Sequence, residues 1–195
     1  MVDGQIKMSD EELMRQLQNG QKETFDEIVL RYKDRLVNFI YRFSGNKKDS
    51  EDIAIETFLR VYQNSGSYDS SRPFSSWFYK IAMNLTLNRI REIKSHPTIS
   101  LSEEIKEGMS VEQVIAVAEE SPQESLLRNE RAARVKKAIS GLPEHLRSVI
   151  IMREYQDMDY ETIASVLDCP IGTVRSRLSR ARELLKKTLK DLMEE

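Results

Sequence analysis

The sequence predicts an all-α protein of two small helical domains joined by an acidic flexible linker, the second domain carrying a helix-turn-helix. Three observations predict it. Apolar residues recur at three- and four-residue steps through most of the chain, and no stretch alternates as a strand would. Only 7 Gly and 5 Pro interrupt 195 residues, while 39% hydrophobic and 32% charged residues describe a soluble folded chain rather than a disordered one. Charge then divides the chain. Residues 1–95 hold 15 Lys and Arg against 14 Asp and Glu, residues 96–125 one Lys against seven Glu, and residues 126–195 14 basic against 11 acidic groups. An acidic middle thus hides two mildly basic ends behind a net charge of −2.

In the first domain, "SDEEL" opens a short helix: Ser9 can cap it, Glu12 stands where a capping box needs it, and Gly20 can end it. Phe25, Ile28, Val29, Tyr32, Leu36, Phe39, Ile40 and Phe43 form the wide apolar stripe of a second helix, broken by "SGNKKDS". "SEDIAIETFLRVYQN" is a third helix, with Ile53, Ile55, Phe58, Leu59 and Tyr62 available for burial. "SGSYDSSRP" reads as a loop. "FSSWFYKIAMNLTLNRIREI" is a fourth helix whose stripe is Phe74, Phe78, Ile81, Leu85 and Ile93. Four such helices can close one small core.

Pro97 and Pro122 lie in the acidic stretch 96–125, which reads as a linker, although "VEQVIAVAEE" could become helical on contact. The helical pattern returns at Leu126. "SLLRNERAARVKKAIS" ends at Gly141, and "LPEHLRSVIIMREYQ" begins at Pro143, a suitable first-turn residue. Asp159 can cap "YETIASVL". "DCPIG" is a turn, and Pro170 and Gly172 let the next helix cross the last.

That final helix, within "CPIGTVRSRLSRARELLKK", separates by role on a wheel of about 100° per residue. Val174, Leu178, Ala181, Leu185 and Leu192 form one narrow apolar seam. Ser176, Ser179, Arg180 and Glu183 lie opposite it, flanked by Arg175, and Arg177 falls beside the seam, pointing toward its own domain. A recognition helix presents its N-terminal residues to the major groove, where Arg can bond guanine through two donors and Ser can meet base edges or phosphate. Lys186, Lys187 and Lys190 read as ordinary complements to the helix dipole.

Other chemistries find little support. The single cysteine, Cys169, allows no internal disulfide, which suits a reducing compartment. His96 and His145 stand far apart, so no metal site is expected, and no phosphate-binding glycine loop or nucleophile motif is present. No cofactor is expected. "MVDGQIKMSDEELM" lacks the apolar core of a signal peptide, and no run nears the roughly 20 apolar residues of a membrane span. A cytoplasmic protein without stable membrane insertion is expected.

"LPEHLRSVIIMREYQDMDYETIASVLDCPIGTVRSRLSRARELL" resembles region 4, the promoter-reading domain, of extracytoplasmic-function sigma factors. "SEDIAIETFLRVY" and "FSSWFYKIAMNLTLNRIR" are similar to their region 2. The likeness covers roughly residues 9–94 and 126–190. "GTVRSR" alone is moderately specific, and with "WFYKIAMN" upstream it is highly so.

The resemblance implies a non-enzymatic initiation factor that binds core RNA polymerase, directs it to promoters and helps melt the −10 DNA. It implies region 2 over 1–95, with the β′ clamp helices as its contact, and region 4 over 126–195, contacting the β flap. An anti-sigma factor is implied as a further partner. Asp52 and Glu56 match acidic clamp-facing positions, and Ile55 stands where many members have Gln. The loop from Asn64 to Arg72 is similar to one that pockets a flipped base, with Tyr68 a candidate stacking face. Asn84 matches a −10-contacting position, while Arg72, Arg89 and Arg91 are candidates for the strand around it. Pro170, Arg175, Ser176, Ser179 and Arg180 match positions facing the −35 element, four of which the wheel selects independently. The linker's glutamates would mimic nucleic acid in a basic channel, or simply solubilise a tether. Two alternatives stand beside this reading: an operator-binding regulator that needs no polymerase, and a protein-only adaptor. Neither accounts for the region 2 likeness.

Overall fold

The computed structural model describes residues 8–95 and 122–190. They form eight α-helices, with no strand among the described residues: α1 (Asp10–Gln18), α2 (Thr24–Ser44), α3 (Lys47–Gln63), α4 (Phe74–Ser95), α5 (Pro122–Ser140), α6 (Glu144–Ile150), α7 (Tyr160–Leu167) and α8 (Ile171–Thr188). The first four make one domain and the last four the other.

Local chemistry sets the helix ends. Ser9 Oγ accepts the Glu12 amide at 3.2 Å, which is half of the expected capping box. The Glu12 carboxylate turns instead to Arg15 and Gln16. Gly45 ends α2 in the left-handed region at φ 68°, a conformation that a Cβ would disfavour. Asn46 then caps α3 at once, its Oδ1 accepting the Asp49 amide at 3.1 Å, so α3 begins three residues before the expected start. In the second domain α5 begins at Pro122, four residues upstream of the expected return, so helix already covers the last residues, 122–125, of the expected linker. The helical reading of "VEQVIAVAEE" lies outside the described residues.

The helix expected to run on from Pro143 does so as α6 only to Ile150. A wide π turn, Ile151–Tyr155, follows, and the chain leaves it through Asp157 at φ 52°. A π turn carries one residue more than an α turn. Here it keeps Ile151 and Met152 fully buried and turns Tyr155 and Gln156 toward the first domain. Asp159 caps α7, its Oδ1 accepting the Thr162 amide at 2.6 Å. Asp159→Ala is expected to cost about 1 kcal/mol, checked by urea unfolding of the full chain.

The first core is aromatic. Phe74, Phe78 and Tyr79 of α4 pack against Tyr32 and Phe39 of α2. The Tyr32 hydroxyl donates to Asp10 at 2.6 Å, and burial together with that bond drives the phenol well above its ordinary pKa. The expected stripes hold with three exceptions: Ile55 (67% exposed), Leu59 (52%) and Ile93 (48%) face solvent. On α3 the burial falls instead to Ile53, Ala54, Thr57 and Val61, because α3 presents one narrow seam to both α2 and α4 and the Ile55 side points away. In the second domain α8 crosses α5, α6 and α7, seated through Val174, Leu178 and Ala181. The two domains touch: α4 runs along α7, and the π turn meets α2.

Candidate nucleic-acid interface

The second domain presents α8 outward. The turn that separates α7 from α8 is made by Asp168, left-handed at φ 51°; Asp tolerates this conformation better than most side chains. Gly172, expected in the turn, lies instead inside the first turn of α8 with open space around it. Pro170 is the exposed residue at the helix start, and its carbonyl accepts the Thr173 amide at 2.8 Å.

Val174, Leu178 and Ala181 are buried and Leu185 half-buried, while Leu192 lies outside the described residues. Arg175, Ser176, Ser179 and Arg180 are exposed on the outer side. Arg177 is half-buried, its guanidinium 4.0 Å from the Cys169 sulfur. The Ser176 hydroxyl donates to the Thr173 carbonyl at 3.0 Å. The Arg175 guanidinium lies over the Tyr160 ring, 6.0 Å from its centre, and Arg153 approaches the same ring at 5.6 Å. Tyr160, missed by sequence reasoning, thus stands beside one of the candidate readers. Of the late lysines, Lys187 pairs with Glu183 at 2.9 Å, which holds that carboxyl below its usual range.

The first domain offers two further faces. On α3, Asp52, Ile55 and Glu56 are exposed side by side, Leu59 extends them one turn on, and Glu56 pairs with Arg60 at 2.7 Å. Asn84 is exposed on α4. Arg89 is exposed too, held at 3.3 Å by Asp49 and 3.7 Å by Glu92.

The 64–72 loop is braced from a place the sequence did not indicate. Gln18 of α1 donates its amide to the carbonyls of Ser65 and Tyr68, each at 2.8 Å, and Glu11 accepts the Phe74 amide at 2.9 Å. Asp69 turns the loop by accepting from the Ser71 amide and hydroxyl, which lowers its carboxyl pKa. Arg72 is exposed and pairs loosely with Asp69 at 3.5 Å. Tyr68 needs correction as a free stacking face. It is 5% exposed, its ring packs against both Phe74 and Trp77, and its hydroxyl donates to the Arg72 carbonyl at 2.6 Å. Burial pushes that phenol up to about 12. The ring thus braces the loop from within, against Phe74.

Residues 28–95 match the family described as Sigma-70 region 2, and residues 132–185 match Sigma-70, region 4. The chain is 35% identical over 187 residues to the RNA polymerase sigma-H factor of Pseudomonas aeruginosa, covering 95% of this chain and 96% of that one. The chain belongs to the extracytoplasmic-function sigma factors. Within this family it is also 35% identical, over 189 residues, to the ECF RNA polymerase sigma factor SigW of Bacillus subtilis, spanning 96% of this chain and all of that one. The sigma-factor fold recurs in two solved structures. One is CnrH in complex with the cytosolic domain of CnrY (TM-score 0.70, 22% identity, 93% of this chain and 97% of that one). The other is the sigma factor RpoE of Bartonella quintana in complex with the anti-sigma factor NepR (TM-score 0.61, 21% identity, 85% and 96%). Among the described residues no helix is long and apolar enough to cross a membrane, and no cluster of His, Cys, Asp and Glu could hold a metal ion.

Proposed function

We propose that this sigma factor binds core RNA polymerase in the cytoplasm and directs it to promoters carrying paired −35 and −10 elements, without itself catalysing a reaction. The observation that carries this reading is the joint presence of both sigma regions in one chain whose α8 exposes Arg175, Ser176, Ser179 and Arg180 on a single face. Residues 1–95 serve as region 2, 126–195 as region 4 and 96–125 as the tether between them, with α5 starting inside that tether's last residues.

In this reading Pro170, Arg175, Ser176, Ser179 and Arg180 meet the −35 duplex. Asn84, Arg72 and Arg89 meet the −10 strand, and Tyr68 supports the loop from within. Asp52, Ile55 and Glu56 dock on the β′ clamp helices. An open groove of ≈ 530 Å³, floored by Ala138, Leu142, Leu184 and Leu189 and rimmed by Arg134 and Lys137, suits an apolar helical tip and is assigned to the β flap. An anti-sigma factor is the natural further partner, since the structural neighbours named above are both bound to one or to a cytosolic partner domain.

Ile55 makes the clamp contact apolar. With Leu59 one turn on, it gives an exposed aliphatic pair beside Asp52 and Glu56. Burying such a side chain on docking contributes about 1.5–3 kcal/mol, so Ile55→Asp is expected to weaken core binding about tenfold, measured by competition for core polymerase. Ile55→Gln, which restores the residue many members carry, should stay within about threefold.

The test of the whole proposal is in vitro transcription with purified core polymerase and this protein on a genomic promoter library. Initiation at sites sharing a −35 and a −10 motif is expected. Tight binding to duplex sites by the free chain, with no initiation, would establish the operator-binding alternative instead.

A further inference from the structure

The first helix does more than fill the first core. α1 lies ahead of the residues matched to region 2, which begin at position 28. It is fixed firmly to its neighbours all the same. Leu13, Met14 and Leu17 are buried. Asp10 accepts from the Arg31 guanidinium at 2.7 Å and from the Tyr32 hydroxyl at 2.6 Å. Thr24 Oγ1 donates to the Leu13 carbonyl at 3.2 Å.

Glu11, Met14 and Gln18 are spaced by three and four, so they share one helical stripe. Met14 is fully buried. The polar residues on either side of it grip the 64–72 loop at its two ends. Gln18 Nε2 holds the start through the carbonyls of Ser65 and Tyr68, each at 2.8 Å. Glu11 Oε1 holds the exit by accepting the Phe74 amide at 2.9 Å, where α4 begins. Pro73 has no side-chain acceptor to cap that helix, and the Glu11 carboxylate also sits at the positive end of its dipole. Two turns of α1 set the grips about 10 Å apart along its axis.

The loop needs such a frame. "NSGSYDSSR" holds four serines and a glycine, a composition that leaves an unbraced chain many conformations. Its internal bonds shape two halves separately. The Tyr68 amide donates to the Ser65 carbonyl at 3.1 Å in the first, and the Ser71 amide to Asp69 at 3.0 Å in the second. The α1 grips fix these halves to one rigid element. Gln18 is itself exposed, so its bonds bear on the shape of the loop and not on core packing. A loop that receives an extruded base offsets the cost of unstacking only with contacts already in place. Ordering a loose loop at that moment would subtract from binding.

We infer that α1 is a positioning element for −10 recognition. Gln18 and Glu11 hold the 64–72 loop preformed for an extruded base, and so set base preference at one −10 position without touching DNA themselves. The inference rests on the reading of that loop as the one that holds the base.

The experiment uses holoenzyme assembled from core polymerase and the full chain. Promoters carry each of the four bases in turn at every −10 position, and heparin-resistant complexes are counted by gel shift. Gln18→Met keeps length and helix propensity but removes both donors. Gln18→Glu sets a carboxylate against the two carbonyls. Glu11→Met removes the acceptor at the start of α4, and Glu11→Gln keeps it. Gln18→Met and Glu11→Met are expected to lower the preference for the best base at one and the same −10 position at least about threefold. Gln18→Glu is expected to lower it further, and Glu11→Gln to stay within about twofold of the parent. Preferences at the −35 element, competition for core polymerase and the urea midpoint of the full chain are expected to be unchanged in Gln18→Met.

Unchanged −10 preference in both Gln18 variants would overturn the inference. So would a uniform loss across all promoters with a lower urea midpoint, the mark of a merely structural helix. Gly66→Leu separates the inference from the reading beneath it. A Cβ at Gly66 meets open space, so the fold is kept while the new side chain obstructs the loop. If Gly66→Leu alters the preference and the Gln18 variants do not, the loop keeps its assignment and the role of α1 fails. If neither alters it, both readings fall.

Discussion

Arg175→Ala and Arg180→Ala are each expected to reduce initiation at a −35-dependent promoter about tenfold or more. Both side chains are exposed on the outer side of α8, so truncating them leaves the seam of Val174, Leu178 and Ala181 intact. A bidentate arginine–guanine pair contributes about 1–3 kcal/mol of discrimination, and 1.4 kcal/mol is a factor of ten. The two positions also separate base reading from phosphate holding. An arginine that reads a base relaxes the preference at one −35 position when removed. One that holds a phosphate weakens all promoters alike and lowers the salt dependence by about one counterion. Run-off transcription across a set of −35 variants at two salt concentrations distinguishes these cases. Undiminished transcription from both variants on a −35-dependent promoter would remove α8 from the reading role.

Asn84→Ala is expected to leave core binding within about twofold while reducing open complexes at least fivefold. Extracting a base from the stack costs a few kcal/mol, and the Asn84 amide can both donate and accept toward an extruded base. Losing it leaves that cost less well offset. The substitution removes no contact of the aromatic core, since Phe78, Tyr79 and Leu85 carry the buried side of α4. Permanganate reactivity of −10 thymines measures melting directly, and normal reactivity in the variant would refute the assignment.

What the sequence revealed of this fold was whatever rests on periodicity and local chemistry. The seam of α8, the sideways Arg177, the Asp159 cap and the aromatic stripe of α4 all follow from spacing and residue type. Position on a helix is less legible where two neighbours compete for one face. Ile55 and Leu59 look like core by hydropathy and are exposed because α3 has only one seam to give. Tyr68 looks like a free aromatic in a polar loop, and its burial depends on Gln18, 50 residues upstream, closing that loop. Nor does the pattern of "LPEHLRSVIIMREYQ" disclose a change of helical pitch, because apolar residues fill every position from Val149 to Met152. The interdomain bond of Tyr79 to Gln156 spans 77 residues and two polar groups without a local signature.

That change of pitch bears on which length changes the gene can absorb. The turn Ile151–Tyr155 holds one residue in excess of a regular helix. Loss of the codon for Glu154, an exposed residue bonded only outward to Arg182 at 2.8 Å, would let the turn tighten to ordinary α pitch with Tyr155 and Gln156 still facing the first domain. The segment from Thr173 to Arg180 has no such slack. There a single lost codon turns every later side chain by about 100°, carrying Ser179 and Arg180 off the outer face of α8. Two stretches of one small domain, about twenty residues apart, therefore respond oppositely to the loss of a single codon.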